Sequence, residues 1–117
     1  MNFDLSEEQT MLRDAAQKFL RAEYGFDARN KIVASEPGMS REHWRRFGEF
    51  GWLGVALPEA DGGFGGGIVE TIQVAEALGA ALAVEPYLAS TVLGAQAVAR
   101  AGSPAQRSTW LPGLASG

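Results

Sequence analysis

Residues 68–101, IVETIQVAEALGAALAVEPYLASTVLGAQAVARA, decide the fold. Apolar side chains recur at Val69, Ile72, Ala75, Leu78 and Leu82, the period of a one-sided helix rather than of a strand. Glu70 and Glu76 belong to the other side. The spacing predicts a helix over 68–82. Glu85-Pro86-Tyr87 ends it, because proline has no N–H and its ring obstructs the preceding turn. A second helix is predicted over 87–101. It is apolar nearly all round, interrupted only by Ser90, Thr91 and Gln96, which is the pattern of a helix surrounded by protein.

Downstream, Ser103-Pro104-Ala105-Gln106 reads as a capping box with proline at the first helical position, where its missing N–H costs nothing. The helix it opens carries Trp110 and Leu111 and is expected to be disturbed by Pro112-Gly113.

Upstream lies DGGFGGG, residues 61–67. A P-loop needs Lys followed by Ser or Thr, and a dinucleotide loop needs a preceding strand and a GxGxxG register. Neither is present, since Ile68 stands where the last glycine is required. The stretch reads as a mobile connection that turns tightly into the next helix. A weak anion nest at that helix start is the alternative. Before it, Gly54-Val55-Ala56-Leu57 reads as a short extended piece ending at Pro58. Ser40 caps a helix that turns Trp44, Phe47 and either Phe50 or Leu53 inward. Residues 27–34 fit a short helix, followed by a turn at Ser35-Glu36-Pro37-Gly38. At the start, Ser6-Glu7-Glu8-Gln9 is a second capping box, with both glutamates where the helix dipole favours negative charge. Its helix carries Met11, Leu12, Ala15, Ala16, Phe19 and Leu20 as an apolar stripe and runs to about Glu23. The chain is therefore read as one all-α domain over 1–117, a bundle of about five helices with one glycine-rich loop.

Composition narrows the chemistry. The chain has 117 residues, enough for one compact domain, and a net charge of −4. A nucleic-acid binder wants a clustered basic face. The one basic cluster, Arg41, Arg45 and Arg46, is interleaved with Glu42 and Glu49 and reads as a solvated helix face. There is no cysteine, which removes disulfides, thiolate metal sites and a cysteine nucleophile. The single histidine, His43, reads as a partly exposed helix residue rather than a metal ligand. The start is acidic and unlike a signal peptide, and the most apolar stretch, 88–99, is too short to span a bilayer. A cytoplasmic protein is expected, with no nucleic-acid or membrane partner. The residues supply no nucleophile–base pair, metal cluster or cofactor motif.

Four blocks in order, FDLSEEQTMLRDAAQKFL, REHWRRFGEFGWLGVALPEADGGFGGG, VAEALG and AGSPAQRSTWLPGLASG, resemble the N-terminal domain of acyl-CoA dehydrogenases. The likeness covers essentially the whole chain. The stretch 83–90, AVEPYLAS, is most similar to the small-subunit branch called pimeloyl-CoA dehydrogenase. The resemblance implies flavin chemistry: oxidation of an acyl-CoA to the trans-2-enoyl-CoA, with hydride passing to FAD and an electron-transfer flavoprotein reoxidising it. It implies a homo- or hetero-oligomer, a tetramer in the full enzyme. It places the catalytic base and most FAD contacts in a middle β-domain and a C-terminal helical domain. No position of this chain matches that base. The end of the predicted helix 68–82 and the start of 87–101 line the far part of the acyl pocket in the family. Here that region is Glu85, Tyr87, Leu88, Ala89, Val92 and Leu93, with Glu85 or Tyr87 placed to meet a polar chain end. The finish at LPGLASG falls at the usual interdomain boundary, so a piece of a longer enzyme, inactive alone, is expected. The other reading is a stand-alone helical module that assembles with a dehydrogenase partner.

Overall fold

The computed structural model describes all residues, Met1–Gly117. It is all-α, with no strand. Helix α1 spans Glu7–Glu23, α2 Phe26–Ala34, α3 Arg41–Glu49, α4 Ile68–Ala80, α5 Gln96–Ala101 and α6 Pro104–Ser116. Tyr87–Ala95 is wound as a π-helix and runs straight into α5. Short 3₁₀ turns lie at Trp52–Gly54 and Glu59–Asp61.

The caps are where side-chain chemistry puts them. Ser6 and Gln9 close one capping box, Ser103 and Gln106 another, and Ser40 accepts from the backbone N–H of His43. Each satisfies a helix-end N–H that has no partner within its helix. Helix α1 packs mainly on α4. It does so through Ala16 and Leu20, whereas Met11 is 71% exposed. Phe47, Trp52, Leu53, Val74 and Leu78 complete this core. Leu53, not Phe50, turns inward. A second core joins Leu57, Ala95, Ala99, Leu111 and Ala115.

Four expectations need correction. The buried side of α4 is Thr71, Gln73, Val74, Ala77 and Leu78, while Ile68, Val69, Ile72, Ala75 and Leu82 face outward. Thr71 can turn inward because its hydroxyl donates to the Gly67 carbonyl at 3.0 Å, so no polar atom is left unpaired. Residues 54–57 are not extended; they follow a 3₁₀ turn that buries Trp52 and Leu53. Helix α6 continues through Pro112, held past it by buried Leu111 and Ala115 one turn apart. The stretch 87–101 is buried along only one row, Tyr87, Thr91, Ala95 and Ala99, with Leu88 65% and Leu93 61% exposed.

The extents, 43 × 40 × 19 Å, describe a slab about two helix diameters thick. A slab has more face than a sphere, which is why so many large apolar side chains remain uncovered.

Candidate functional site

The glycine-rich loop settles one possibility by hydrogen-bond accounting. Every backbone N–H from Asp61 to Gly67 is already bonded. Asp61 and Gly63 donate to Pro58, Gly62 to Glu59, Phe64 to Gly54, Gly65 to Leu57 and Gly66 to Val55. Gly67 donates to the Glu70 carboxylate at 2.7 Å. An anion nest needs free, convergent N–H groups, and this loop has none. Nor is it a loose connection, as the spacing of its glycines suggested. It is stitched onto residues 54–58, and glycine is needed for closeness: a Cβ on Gly63 would sit 2.2 Å from the Leu57 carbonyl oxygen, one on Gly66 2.6 Å from that of Val55. Glu70 also accepts from Gln9 Nε2 at 2.7 Å. These two hydrogen bonds, Gln9's first, hold its carboxyl below the usual carboxylate range.

The turn between α4 and the π-wound stretch is anchored from three directions. Glu85 is buried. Its Oε2 accepts from the Tyr24 hydroxyl at 2.7 Å and its Oε1 from the Ser40 N–H at 3.2 Å. The Tyr24 hydroxyl in turn accepts from the Val84 N–H at 3.0 Å. Arg29 Nε donates to the Leu82 carbonyl at 2.9 Å. Leu82 itself stands at φ 53, left-handed backbone that an apolar side chain rarely adopts. His43 is largely buried, its ring packed against Phe19, Tyr24 and Phe47 and its Nδ1 4.0 Å from Glu85 Oε1. Burial, with the Glu85 hydrogen bond second, pushes the Tyr24 phenol up to about 12. Burial alone pushes Tyr87 up further.

The six residues singled out for an acyl pocket divide into two sets. Glu85 and Tyr87 turn inward, the latter with its hydroxyl 3.4 Å from the Trp52 carbonyl. Leu88, Ala89 and Leu93 face outward and Val92 is half-buried. Val92 and Leu93 reach a groove of about 440 Å³ between Leu57, Ile68 and Gln96, with Arg100 also on its lining. Gln96 Nε2 donates to the Ala56 carbonyl at 3.0 Å and fixes the groove's floor to the 54–57 segment. Sequence reasoning did not foresee that Tyr24, Ser40 and His43 gather around Glu85. The available signal was the carboxylate of Glu85 inside an otherwise apolar run, which demands partners when buried. No cluster of acidic or histidine side chains is close enough to hold a metal ion. The glycine-rich loop likewise offers no free N–H to a phosphate group.

A bundle of this order, with a pinned glycine loop and an anchored turn before a π-wound helix, defines a helical domain that leaves many large apolar side chains uncovered. Residues 6–117 match the family described as acyl-CoA dehydrogenase, N-terminal domain, and the chain belongs to that family. It is 45% identical over 82 residues to the acyl-CoA dehydrogenase FadE27 of Mycobacterium tuberculosis, covering 70% of this chain and 22% of that protein. It is 33% identical to the probable acyl-CoA dehydrogenase YngJ of Bacillus subtilis, covering 100% of this chain and 31% of that protein. Among solved structures, the ChsE4–ChsE5 complex from M. tuberculosis superposes with a TM-score of 0.89 at 35% identity, covering 99% of this chain and 32% of that one. The chain therefore spans less than a third of the length of these relatives. No helix is long and apolar enough to cross a membrane.

Proposed function

We propose that this domain forms one wall of the acyl pocket in an FAD-dependent acyl-CoA dehydrogenase that converts acyl-CoA to trans-2-enoyl-CoA. The observation that carries the reading is the outward set Leu88, Ala89 and Leu93 on the π-wound stretch, apolar and uncovered, of which Leu93 also lines the groove. π-helical winding is rare, and where it interrupts α-helices it is frequent at functional sites. Small and aliphatic side chains suit an alkyl tail, which gains free energy by leaving water. Tyr87 and Glu85 stand behind this wall rather than in it. The proton-abstracting carboxylate and the flavin are assigned to parts of the enzyme outside these residues, with an electron-transfer flavoprotein as acceptor of the electrons. The names of FadE27 and YngJ support the reaction class, and the two-protein ChsE4–ChsE5 complex supports assembly with further subunits.

The test is to prepare the full-length protein and the 117-residue chain side by side. The full-length protein is expected to carry flavin and to reduce an acceptor dye when given acyl-CoA. The chain alone is expected to do neither. Stoichiometric flavin on the isolated chain would overturn this division of labour.

A further inference from the structure

We infer that Tyr24 and Glu85 are a positioning pair that sets where the π-wound stretch begins, and through it the depth of the acyl pocket. The inference rests on the functional reading above. Its ground is the concentration of ties on one short turn. Residues 82–86 have no helix of their own, yet Leu82, Val84 and Glu85 are each held from another part of the chain. Arg29 of α2 holds the Leu82 carbonyl. Tyr24, at the end of α1, holds both the Val84 N–H and the Glu85 carboxylate. Ser40, at the start of α3, holds the other Glu85 oxygen. The turn closes with the Tyr87 N–H donating to the Glu85 carbonyl at 2.8 Å.

A buried carboxylate is costly unless every lone pair direction is served, and apolar packing of the same volume would serve stability as well or better. What the carboxylate adds is direction. It ties three segments to one point, three residues before the wall begins at Leu88. Proline at 86 transmits that point stiffly, since its φ is locked. Leu88, Ala89 and Leu93 then take their places by helical geometry alone. Loosening the Tyr24–Glu85 bond should let the first turn of the wall drift, which matters only to a tail long enough to touch it.

The experiment uses the full-length flavoprotein and a series of saturated acyl-CoAs of increasing length. Tyr24→Phe is expected to lower kcat/KM for the longer substrates roughly tenfold, the size of one methylene's worth of pocket contact. The loss should enter through KM, while kcat on the shortest substrate stays unchanged. Glu85→Gln keeps the volume and one acceptor oxygen. It is expected to show the same length bias at about threefold, the scale of one weakened hydrogen bond, and it carries the comparison should Tyr24→Phe not fold. An unaltered chain-length profile, or an equal loss at every length, would reduce the pair to a structural contact and overturn the inference. If the unsubstituted parent dehydrogenates no acyl-CoA, the functional reading falls and the pair's role falls with it.

Discussion

The Tyr24 hydroxyl donates to Glu85 Oε2 at 2.7 Å across 61 positions of sequence, and both side chains are buried. Tyr24 and Tyr87 are the chain's two tyrosines. Both phenols are pushed up, Tyr24 to about 12, because burial disfavours the phenolate and Glu85 adds its negative charge beside Tyr24. A folded-state pKa above the unfolded value of ~10 contributes stability below that pH and loses it as pH rises towards 12. Phenolate absorbance in an alkaline titration of the native chain should therefore stay flat through pH 10. It should rise only at higher pH, together with loss of helical circular dichroism. A phenolate signal at pH 10 with the helices intact would show one tyrosine to be solvent-facing.

Glu70 gives the opposite sign. Its carboxyl lies below the usual range because Gln9 and Gly67 hydrogen-bond to the ionised form. The stability it contributes is present above the unfolded carboxylate pKa of ~4.3 and is lost as pH falls through the lower folded value. Glu70→Gln should lower Tm at neutral pH, and the gap from the unsubstituted chain should close as pH approaches 3. A gap that stays constant with pH would remove charge from the account of this contact.

The caps can be read against each other. Ser103→Ala should cost ~1 kcal/mol, the usual value of an N-cap hydroxyl, because Ser103 Oγ accepts from the Gln106 N–H at 3.2 Å. Ser108, exposed on α6 with no cap to make, should tolerate alanine with a much smaller shift. Equal shifts in thermal melts of the two variants would contradict the placement of the start of α6.

Gly63→Ala tests the stitched loop. Its new methyl would overlap the Leu57 carbonyl, so the loop must lift off residues 54–58 and surrender bonds. A loss of roughly 1–3 kcal/mol is expected, as for other overpacked sites. Gly113→Ala, with no atom within 4 Å of the added carbon, is the control and should be neutral or stabilising. Identical denaturant midpoints for the Gly63→Ala variant and the unsubstituted chain would mean that the loop is loose after all.

How much of this was visible in the residues follows from the range of the forces involved. The capping boxes at Ser6 and Ser103 and the Ser40 cap were legible because each is a bond between residues three apart. The all-α class was legible because apolar period is local. The inward face of α4 was not. Val69 and Ile72 are the stronger hydrophobes, but α1 lies against the side with Val74 and Ala77, whose small volume admits close packing. The continuation of α6 past Pro112 depended on Leu111 and Ala115 finding a core made by residues 57, 95 and 99. At the candidate site, the resemblance pointed to residues 85–93, of which Leu88, Ala89 and Leu93 face outward and Glu85 and Tyr87 inward. The anchor of that stretch was not legible, because Tyr24, Ser40 and Glu85 meet only when three helix ends converge. DGGFGGG looked mobile because sequence shows which glycines permit a tight path but not which carbonyls receive their N–H groups.

The exposed row also bears on the isolated chain. Ile68, Val69 and Ile72 on α4, with Leu88 and Leu93, remain uncovered. Water penalises apolar surface at roughly 25 cal/mol per Å², and pairing of like faces is the commonest relief. The 117-residue chain should sediment as a dimer or larger species at high concentration. Ile72→Lys should shift it towards monomer. A monodisperse monomer that binds no apolar dye would show that these faces need no cover, and would favour a stand-alone module.

The most direct test of the central claim is the chain-length profile of the full-length enzyme carrying Ala89→Trp. Ala89 faces outward at the middle of the proposed wall, so an indole there takes volume that an acyl tail would use without disturbing a core. The account predicts that preference moves to shorter acyl-CoAs, with activity on the shortest retained. An unchanged profile in a folded, flavin-bound variant would contradict it and return residues 88–93 to a purely structural role.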